Sequence, residues 1–160
     1  MGMPLAVVTR RGKGHERMYI VEMTIAHYVA VLALMQQTPG VTVREADSRA
    51  ATQKYLERNP GCSFVAMDED EVIGCAMCGH DGRRGYLQHV MVRPDFRGQG
   101  VAHQLVTRCL EQLEALGIMK THLDVLRSND VATRYWARRG WQRRDDLYRY
   151  SCNRSRSANA

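Results

Sequence analysis

The segment that most constrains this chain, residues 92–102, joins a predicted strand to a long helix pattern. Pro94 interrupts the strand, and the chain then leads directly into the helix. The first turn of a helix has free backbone N–H groups and a partial positive charge, so it binds phosphate oxygens when they can approach closely. Gly98 and Gly100 have no side chains to block that approach, and Ala102 is small. The segment therefore predicts a pyrophosphate-binding loop.

Two familiar glycine-rich loops do not fit this segment. No Gly-Lys-Ser/Thr sequence follows, which excludes a P-loop, and the glycine spacing and the missing acidic residue exclude the dinucleotide fingerprint. A glycine pair at a helix start also allows close packing of a helix on a sheet, and this alternative stays open. Arg97 would add positive charge beside a bound pyrophosphate, with Arg93 as a second candidate.

The chain between the two ends alternates between strand and helix patterns. Strands are predicted over 18–23, 62–67, 71–78, 86–92, 119–126 and 141–151, and helices after Thr24 and over 47–58, 98–116 and 129–139. The order β-α-α-β-β-β-α-β-α-β predicts an α/β fold with a mixed, mainly antiparallel sheet of 6-7 strands and about four helices. We expect a disordered or extended segment over 1–17, one domain over 18–152 and a flexible tail over 153–160.

Composition limits the class of protein. The chain has 160 residues, 44% of them hydrophobic and 25% charged, which is typical of one soluble domain. It shows neither a membrane-helix pattern nor a signal peptide, so we expect a cytoplasmic protein. The five cysteines are expected to be reduced thiols. Cys75 and Cys78 have a zinc-like spacing, but no second ligand pair follows, so we predict no metal site.

The formal net charge of +6 favours an anionic partner such as a phosphorylated cofactor. Much of the excess charge lies in residues 10–17 and 134–144, and solvated helix faces and tails are the simpler explanation of these two clusters. A nucleic-acid-binding module is disfavoured, because the chain lacks the interleaved aromatic residues of RNA-stacking sheets.

Residues 92–102, Val-Arg-Pro-Asp-Phe-Arg-Gly-Gln-Gly-Val-Ala, resemble the central motif of the GNAT superfamily of N-acetyltransferases, Arg/Gln-x-x-Gly-x-Gly/Ala. The likeness covers about residues 20–150 and implies acetyl-CoA as co-substrate. In that family the loop amides hold the coenzyme A pyrophosphate, and the end of the preceding strand pairs with the pantetheine arm and polarises the acetyl carbonyl. The implied cofactor contacts are Val90, Met91, Val92, Arg97, Gly98, Gln99, Gly100, Val101, Ala102, Asn129 and Trp136.

A second segment, residues 129–141, resembles the family pattern Asn-x-x-Ala-x-x-Leu/Phe-Tyr-x-x-x-Gly-Phe. Asn129 would contact the cofactor arm. The family tyrosine that protonates the leaving thiolate falls on Trp136, and Tyr135 points about 100° away around the helix. An indole N–H is a donor but no useful acid. Water or another side chain would then protonate the thiolate, or Trp136 would only pack on the cofactor.

The candidate general bases are Asp124 and His89. Asp124 lies in a segment that resembles the one carrying a glutamate base in ribosomal-protein alanine acetyltransferases, and the alternative is an ion pair with an arginine. His89 is predicted to share one strand face with Leu87 and Met91. Imidazole ordinarily titrates near neutrality, which suits a base, and the alternative is a packed, hydrogen-bonded histidine.

The acetyl acceptor is not identified by the sequence. In such folds the acceptor groove is formed by the first two helices and the last strands, which here supply Asp47, Glu57, Asp145, Asp146, Tyr148 and Tyr150. The acidic side chains would suit a cationic amine, but four arginines, Arg138, Arg139, Arg143 and Arg144, are as numerous as these four carboxylates. We predict an N-acetyltransferase that transfers acetyl directly to a primary amine in a ternary complex. The alternatives are a non-catalytic acyl-CoA-binding protein and a basic nucleic-acid-binding module. Beyond acetyl-CoA and the amine, a homodimer is a further candidate assembly.

Overall fold

The computed structural model describes residues 18–160 and the backbone of residues 7–8. The described residues form two compact units, one ending at Leu123 and the other spanning residues 124–160. Most of the sequence prediction for residues 1–17 lies outside the described residues. No helix among the described residues combines the length and the apolar character needed to cross a membrane.

The first unit contains one six-stranded sheet in the order β1-β2-β3-β4-β5-β6, together with three α-helices. The strands are β1 (Val7–Val8), β2 (Met18–Glu22), β3 (Phe64–Asp68), β4 (Glu71–His80), β5 (Gly85–Val92) and β6 (Thr121–His122), and the helices are α1 (Tyr28–Gln37), α2 (Arg49–Arg58) and α3 (Val101–Ala115). Neighbouring strands are antiparallel except for the parallel pair β5–β6. The predicted mixed, mainly antiparallel α/β fold is confirmed.

Helices cover both faces of this sheet. A Cβ at Gly74 on β4 would lie 3.3 Å from Cδ1 of Leu105, so this side of β4 faces α3. The next residue, Cys75, points to the opposite face. There it joins an apolar cluster with the buried residues of α1, which are Val31, Leu34 and Met35. The alternation along β4 therefore supplies both halves of the core.

A β-bulge in β5 changes the predicted orientation of its side chains. Cys75 and Met77, two residues apart on β4, pair with Met91 and Gln88, which are three residues apart on β5. Since paired residues share a face, Gln88 and Met91 lie on the same side of the sheet. The prediction that Leu87, His89 and Met91 share one face is therefore wrong. An alternating pattern cannot reveal the extra residue of a bulge.

The second unit contains a single helix, α4 (Asp130–Arg138), and no strand. Asn129 caps this helix, because its Oδ1 accepts a hydrogen bond from the Ala132 N–H at 3.0 Å. The predicted strand over 141–151 is wrong. Four consecutive charged residues, 143–146, interrupt the alternation there and form the local ion pairs Arg143–Asp145 and Arg144–Asp146.

The predicted strand over 119–126 is much shorter in the structure. It is reduced to β6, which pairs with β5 only through Thr121 with Gly85 and His122 with Tyr86. A strand exists only as far as its neighbour provides hydrogen-bond partners, and an apolar run does not specify that length.

Candidate functional site

The loop between β5 and α3 has the backbone that its glycines allow. A short 3-10 turn over Pro94–Phe96 follows β5, and the chain then passes through Gly98 and Gly100 with φ of 72° and 81°. These left-handed conformations favour glycine. A Cβ at Gly98 would meet no atom within 4 Å, and one at Gly100 would meet only the amide of Gln104 at 4.0 Å. The loop is therefore open, and the alternative that its glycines permit close helix–sheet packing does not hold.

The N-terminus of α3 has no side-chain cap and no acidic residue in its first turn. Helix α2 differs, since Oγ of Ser48 accepts a hydrogen bond from the Ala51 N–H at 3.2 Å. Helix α4 is capped in the same manner by Asn129. The free N–H groups at the start of α3 are therefore available to an external anion, where the helix dipole also favours negative charge.

The two arginines of this loop have different surroundings. Nε of Arg97 donates to the carbonyl oxygen of Val92 at 3.0 Å, which holds its guanidinium beside the loop. Arg93 forms ion pairs with Asp95 at 2.8 Å and Glu71 at 2.9 Å. The hydrogen bonds that Arg93 donates to these two carboxylates, to Asp95 first, raise the pKa of Arg93 above its usual value. The charge of Arg93 is thus balanced locally, which leaves Arg97 as the better-placed cation for a phosphate.

One side of β5 is largely unpaired in the described structure. β4 pairs with nearly the whole of β5, whereas β6 pairs only with Gly85 and Tyr86. Residues 87–92 therefore have no strand partner on the β6 side within the described ranges. An unpaired strand edge presents backbone N–H and C=O groups to an extended, amide-containing chain. Val90, Met91 and Val92, the predicted contacts of the cofactor arm, lie in this part of β5.

A buried carboxylate contacts the bulged residue of β5. Nε2 of His89 lies 2.7 Å from Oδ1 of Asp47, and the two side chains are 20% and 8% exposed. The other oxygen of Asp47, Oδ2, accepts a hydrogen bond from the Arg44 N–H at 2.8 Å. His89 has a φ of 47°, and a left-handed conformation costs a non-glycine residue about 1 kcal/mol. The contact therefore involves a strained backbone of the kind that often occurs at functional sites.

The sequence interpretation missed this contact. It treated Asp47 as a helix cap and as part of an acidic groove, whereas Ser48 is the cap of α2 and Asp47 is buried. Asp47 ends the short 3-10 turn Glu45–Asp47, and its partner lies 42 residues further along the chain. No local spacing links the two residues. His89 is hydrogen-bonded, as the alternative to a free base described it. Such a hydrogen bond is compatible with a role as base.

The remaining predicted site residues lie in the second unit. The Asp124 carboxylate accepts a hydrogen bond from the Arg149 guanidinium, and both side chains are more than half exposed. This contact is the arginine pair considered as the alternative for Asp124. The Trp136 ring makes edge-to-face contacts with Tyr135 and Trp141, at centroid distances of 5.1 Å and 5.0 Å.

The cysteine pair with zinc-like spacing lies within β4. A separation of three residues along a strand directs Cys75 and Cys78 to opposite faces of the sheet. Cys75 is fully buried, which raises its pKa to about 12, and its Sγ donates to the carbonyl oxygen of His89 at 3.1 Å. Among the described residues no cluster of three or more metal-ligating side chains occurs. Cys75 therefore acts as a structural contact of the bulge.

The fold and the loop together define an α/β protein in which an open, glycine-containing turn and an uncapped helix start follow a largely unpaired strand edge. The family model of the acetyltransferase (GNAT) family matches residues 28–141. This match covers most of the chain, which belongs to that family. The predicted superfamily membership is confirmed.

Similar curated proteins include acetyltransferases. One from Pectobacterium atrosepticum is 38% identical over 85 residues, which are 53% of this chain and 60% of that protein, so the match spans less than two thirds of its length. The N-alpha-acetyltransferase 30 of Schizosaccharomyces pombe is 31% identical over 114 residues, 68% of this chain and 76% of that protein. Both proteins are named as acetyltransferases.

Solved structures show the same fold at low sequence identity. Ard1 from Thermoplasma volcanium has a TM-score of 0.68 and 18% identity, covering 77% of this chain and 81% of that chain. The aminoglycoside N-acetyltransferase AAC(6')-Iy, solved in complex with CoA, has a TM-score of 0.67 and 24% identity, covering 91% and 100%. These similarities confirm the predicted fold independently of the loop.

Proposed function

We propose that this chain is an N-acetyltransferase that transfers the acetyl group of acetyl-CoA directly to a primary amine. The observation that carries the proposal is the uncapped start of α3, with the open turn at Gly98 and Gly100, directly after the unpaired edge of β5. Family membership supports acetyl-CoA as the co-substrate, in agreement with the sequence prediction. The complex of AAC(6')-Iy with CoA supports the same assignment.

The loop and the strand edge before it suit two different parts of coenzyme A. Its pyrophosphate is an anion, and the N–H groups at the start of α3 supply hydrogen bonds and a favourable dipole, with the guanidinium of Arg97 nearby. Its pantetheine arm contains two amide groups, which can pair with the backbone of residues 90–92 as an added strand would. The same backbone N–H groups are suited to polarise the acetyl carbonyl.

Direct transfer requires one base and one proton donor. The amine nitrogen attacks the thioester carbonyl, the C–S bond breaks, the amine loses a proton to the base and the coenzyme A thiolate gains one. Of the two predicted bases, we favour His89, because it lies in the bulge of β5 close to the unpaired edge and its side chain is partly exposed. Asp124 is engaged by Arg149, which makes it the weaker candidate.

The proposed acceptor is a primary amine. The names of the similar proteins refer to different kinds of amine. The name of the fission yeast relative refers to N-alpha-acetylation, whereas AAC(6')-Iy is an aminoglycoside acetyltransferase. A panel of spermidine, L-lysine, kanamycin and tetrapeptides beginning with alanine or methionine would sample these classes. We expect acetyl-CoA-dependent release of free thiol with at least one panel amine.

This experiment separates the proposed enzyme from a binding protein. Thermal stabilisation by coenzyme A without turnover on any panel amine would favour the non-catalytic acyl-CoA-binding alternative, for which the tryptophan at position 136 is the supporting feature. No stabilisation by coenzyme A would contradict both assignments.

Replacing Trp136 with tyrosine tests the departure from the family pattern. We expect Trp136→Tyr to retain or raise kcat, because a phenol can donate a proton to the thiolate and an indole cannot. Steady-state rates with the most active panel amine provide the measurement. Trp141→Tyr is the matched control, since it alters the same aromatic contact without placing a phenol at position 136. A large loss of kcat confined to Trp136→Tyr would show that the indole has a role of its own.

A further inference from the structure

The contact between Asp47 and His89 has the geometry of an oriented acid–base pair. Nε2 of His89 and Oδ1 of Asp47 are 2.7 Å apart, and the Asp47 side chain is 8% exposed. An ionised carboxylate only accepts hydrogen bonds, so Nε2 must carry a proton and donate it. In neutral imidazole the lone pair then resides on Nδ1. The described residues provide no hydrogen-bond partner for Nδ1.

Asp47 is itself held in place by contacts from its own turn and from α1. Its Oδ2 accepts the Arg44 N–H at 2.8 Å, and its carbonyl oxygen accepts the Tyr28 hydroxyl of α1 at 2.8 Å. The guanidinium of Arg49 lies over the Tyr28 ring at 5.8 Å, and Cys75 on β4 contacts the backbone of His89. Among these contacts, which involve the described residues only, Asp47 supplies the one carboxylate.

The bulge in β5 is what brings His89 to this carboxylate. In a regular strand, His89 would lie on the face opposite to Gln88 and alternate with it, whereas the extra residue and a φ of 47° redirect its side chain. The contact with Asp47 and this unusual backbone conformation occur together, because the His89 ring reaches Asp47 in this orientation. The backbone conformation and the hydrogen bond to Asp47 thus specify one placement of the ring.

We propose that Asp47 is the positioning residue of the acetyl transfer reaction: it holds His89 in the Nε2–H tautomer, so that Nδ1 accepts the proton of the attacking amine. The inference rests on the proposed function and adds to it a residue that acts through the base. As Nδ1 takes the proton, the imidazole becomes a cation, which the carboxylate of Asp47 stabilises. Asp47 keeps its own charge throughout and does not touch the substrate.

The tautomer can be observed without any substrate. Two-bond nitrogen–proton correlation spectra of histidine-labelled protein above neutral pH distinguish the two neutral tautomers, and the His89 signal is assigned by its loss in His89→Gln. We expect the Nε2–H tautomer in the wild type and a mixture of tautomers in Asp47→Asn. An Nδ1–H tautomer of His89 in the wild type would overturn the proposal, whatever the outcome of the amine panel.

Kinetics with the most active panel amine provide the second test. We expect Asp47→Asn to lower kcat by about 10- to 100-fold, less than loss of the base itself, with the KM for acetyl-CoA nearly unchanged. In the double variant Asp47→Asn, His89→Gln, kcat should be no lower than in His89→Gln alone, since the two residues act as one unit.

The outcomes separate this inference from the proposed function. A merely structural role of Asp47 would lower the melting temperature and give additive losses in the double variant, which would overturn the proposal. Asp81→Asn is the matched control, since Asp81 also accepts backbone N–H groups, from Arg83 and Arg84, but has no histidine partner. We expect it to leave kcat unchanged. Turnover in the wild type with full activity of Asp47→Asn would refute the role of Asp47 and leave the acetyltransferase assignment intact.

Discussion

Gly100→Glu is expected to abolish binding of coenzyme A. A glutamate at this position would place a carboxylate at the start of α3, where the pyrophosphate is proposed to bind, and the two anions would repel each other. The backbone adds a second effect, because Gly100 has a φ of 81° and a left-handed conformation costs other residues about 1–2 kcal/mol. Titration calorimetry with coenzyme A, and the thermal shift that it produces, provide the measurement.

Gly117→Glu separates the two effects. Gly117 follows the other end of α3 with a φ of 79°, and a Cβ there would meet no atom within 4 Å. The variant therefore carries a similar backbone strain and the same new charge, but away from the proposed pyrophosphate site. We expect lower stability with unchanged affinity for coenzyme A. Equal loss of affinity in both variants, or wild-type affinity of Gly100→Glu, would contradict the location of the site.

His89→Gln is expected to lower kcat by about 100- to 10,000-fold, the usual contribution of a general base. The KM for acetyl-CoA should change little, because His89 is proposed to act on the amine and not to bind the cofactor. Steady-state rates with the most active panel amine would test both expectations.

Asp124→Asn decides between the two candidate bases. We expect a small change in kcat, because the Asp124 carboxylate is exposed and paired with Arg149. His80→Gln is the matched histidine control, since its Nδ1 accepts the Gly82 N–H at the end of β4 and the ring has no carboxylate partner. The reverse result, a large loss in Asp124→Asn and none in His89→Gln, would assign the base to the second unit.

Much of the fold could be predicted because its signals are local. The apolar residues of α3 recur every three or four positions, and Val101, Leu105, Cys109 and Leu113 of this face are buried. The cap at Asn129 was also predictable, since a capping side chain reaches a backbone group only three residues away. The errors occurred where the result depends on a distant partner. The length of β6 is determined by β5, and the predicted strand over 141–151 has no partner strand.

By itself, the sequence determined the loop after β5, since two left-handed positions in one turn require glycines and these can be read directly from the chain. The sequence of that loop also indicated the family, because it resembles the family's central motif. Only the tertiary structure showed that the His89 side chain contacts a buried carboxylate. The extra residue in β5 is a property of its pairing with β4, and Asp47 reaches His89 across 42 residues of sequence because the turn before α2 lies against the bulge. Such contacts are set by packing between separate elements, which a local pattern does not encode.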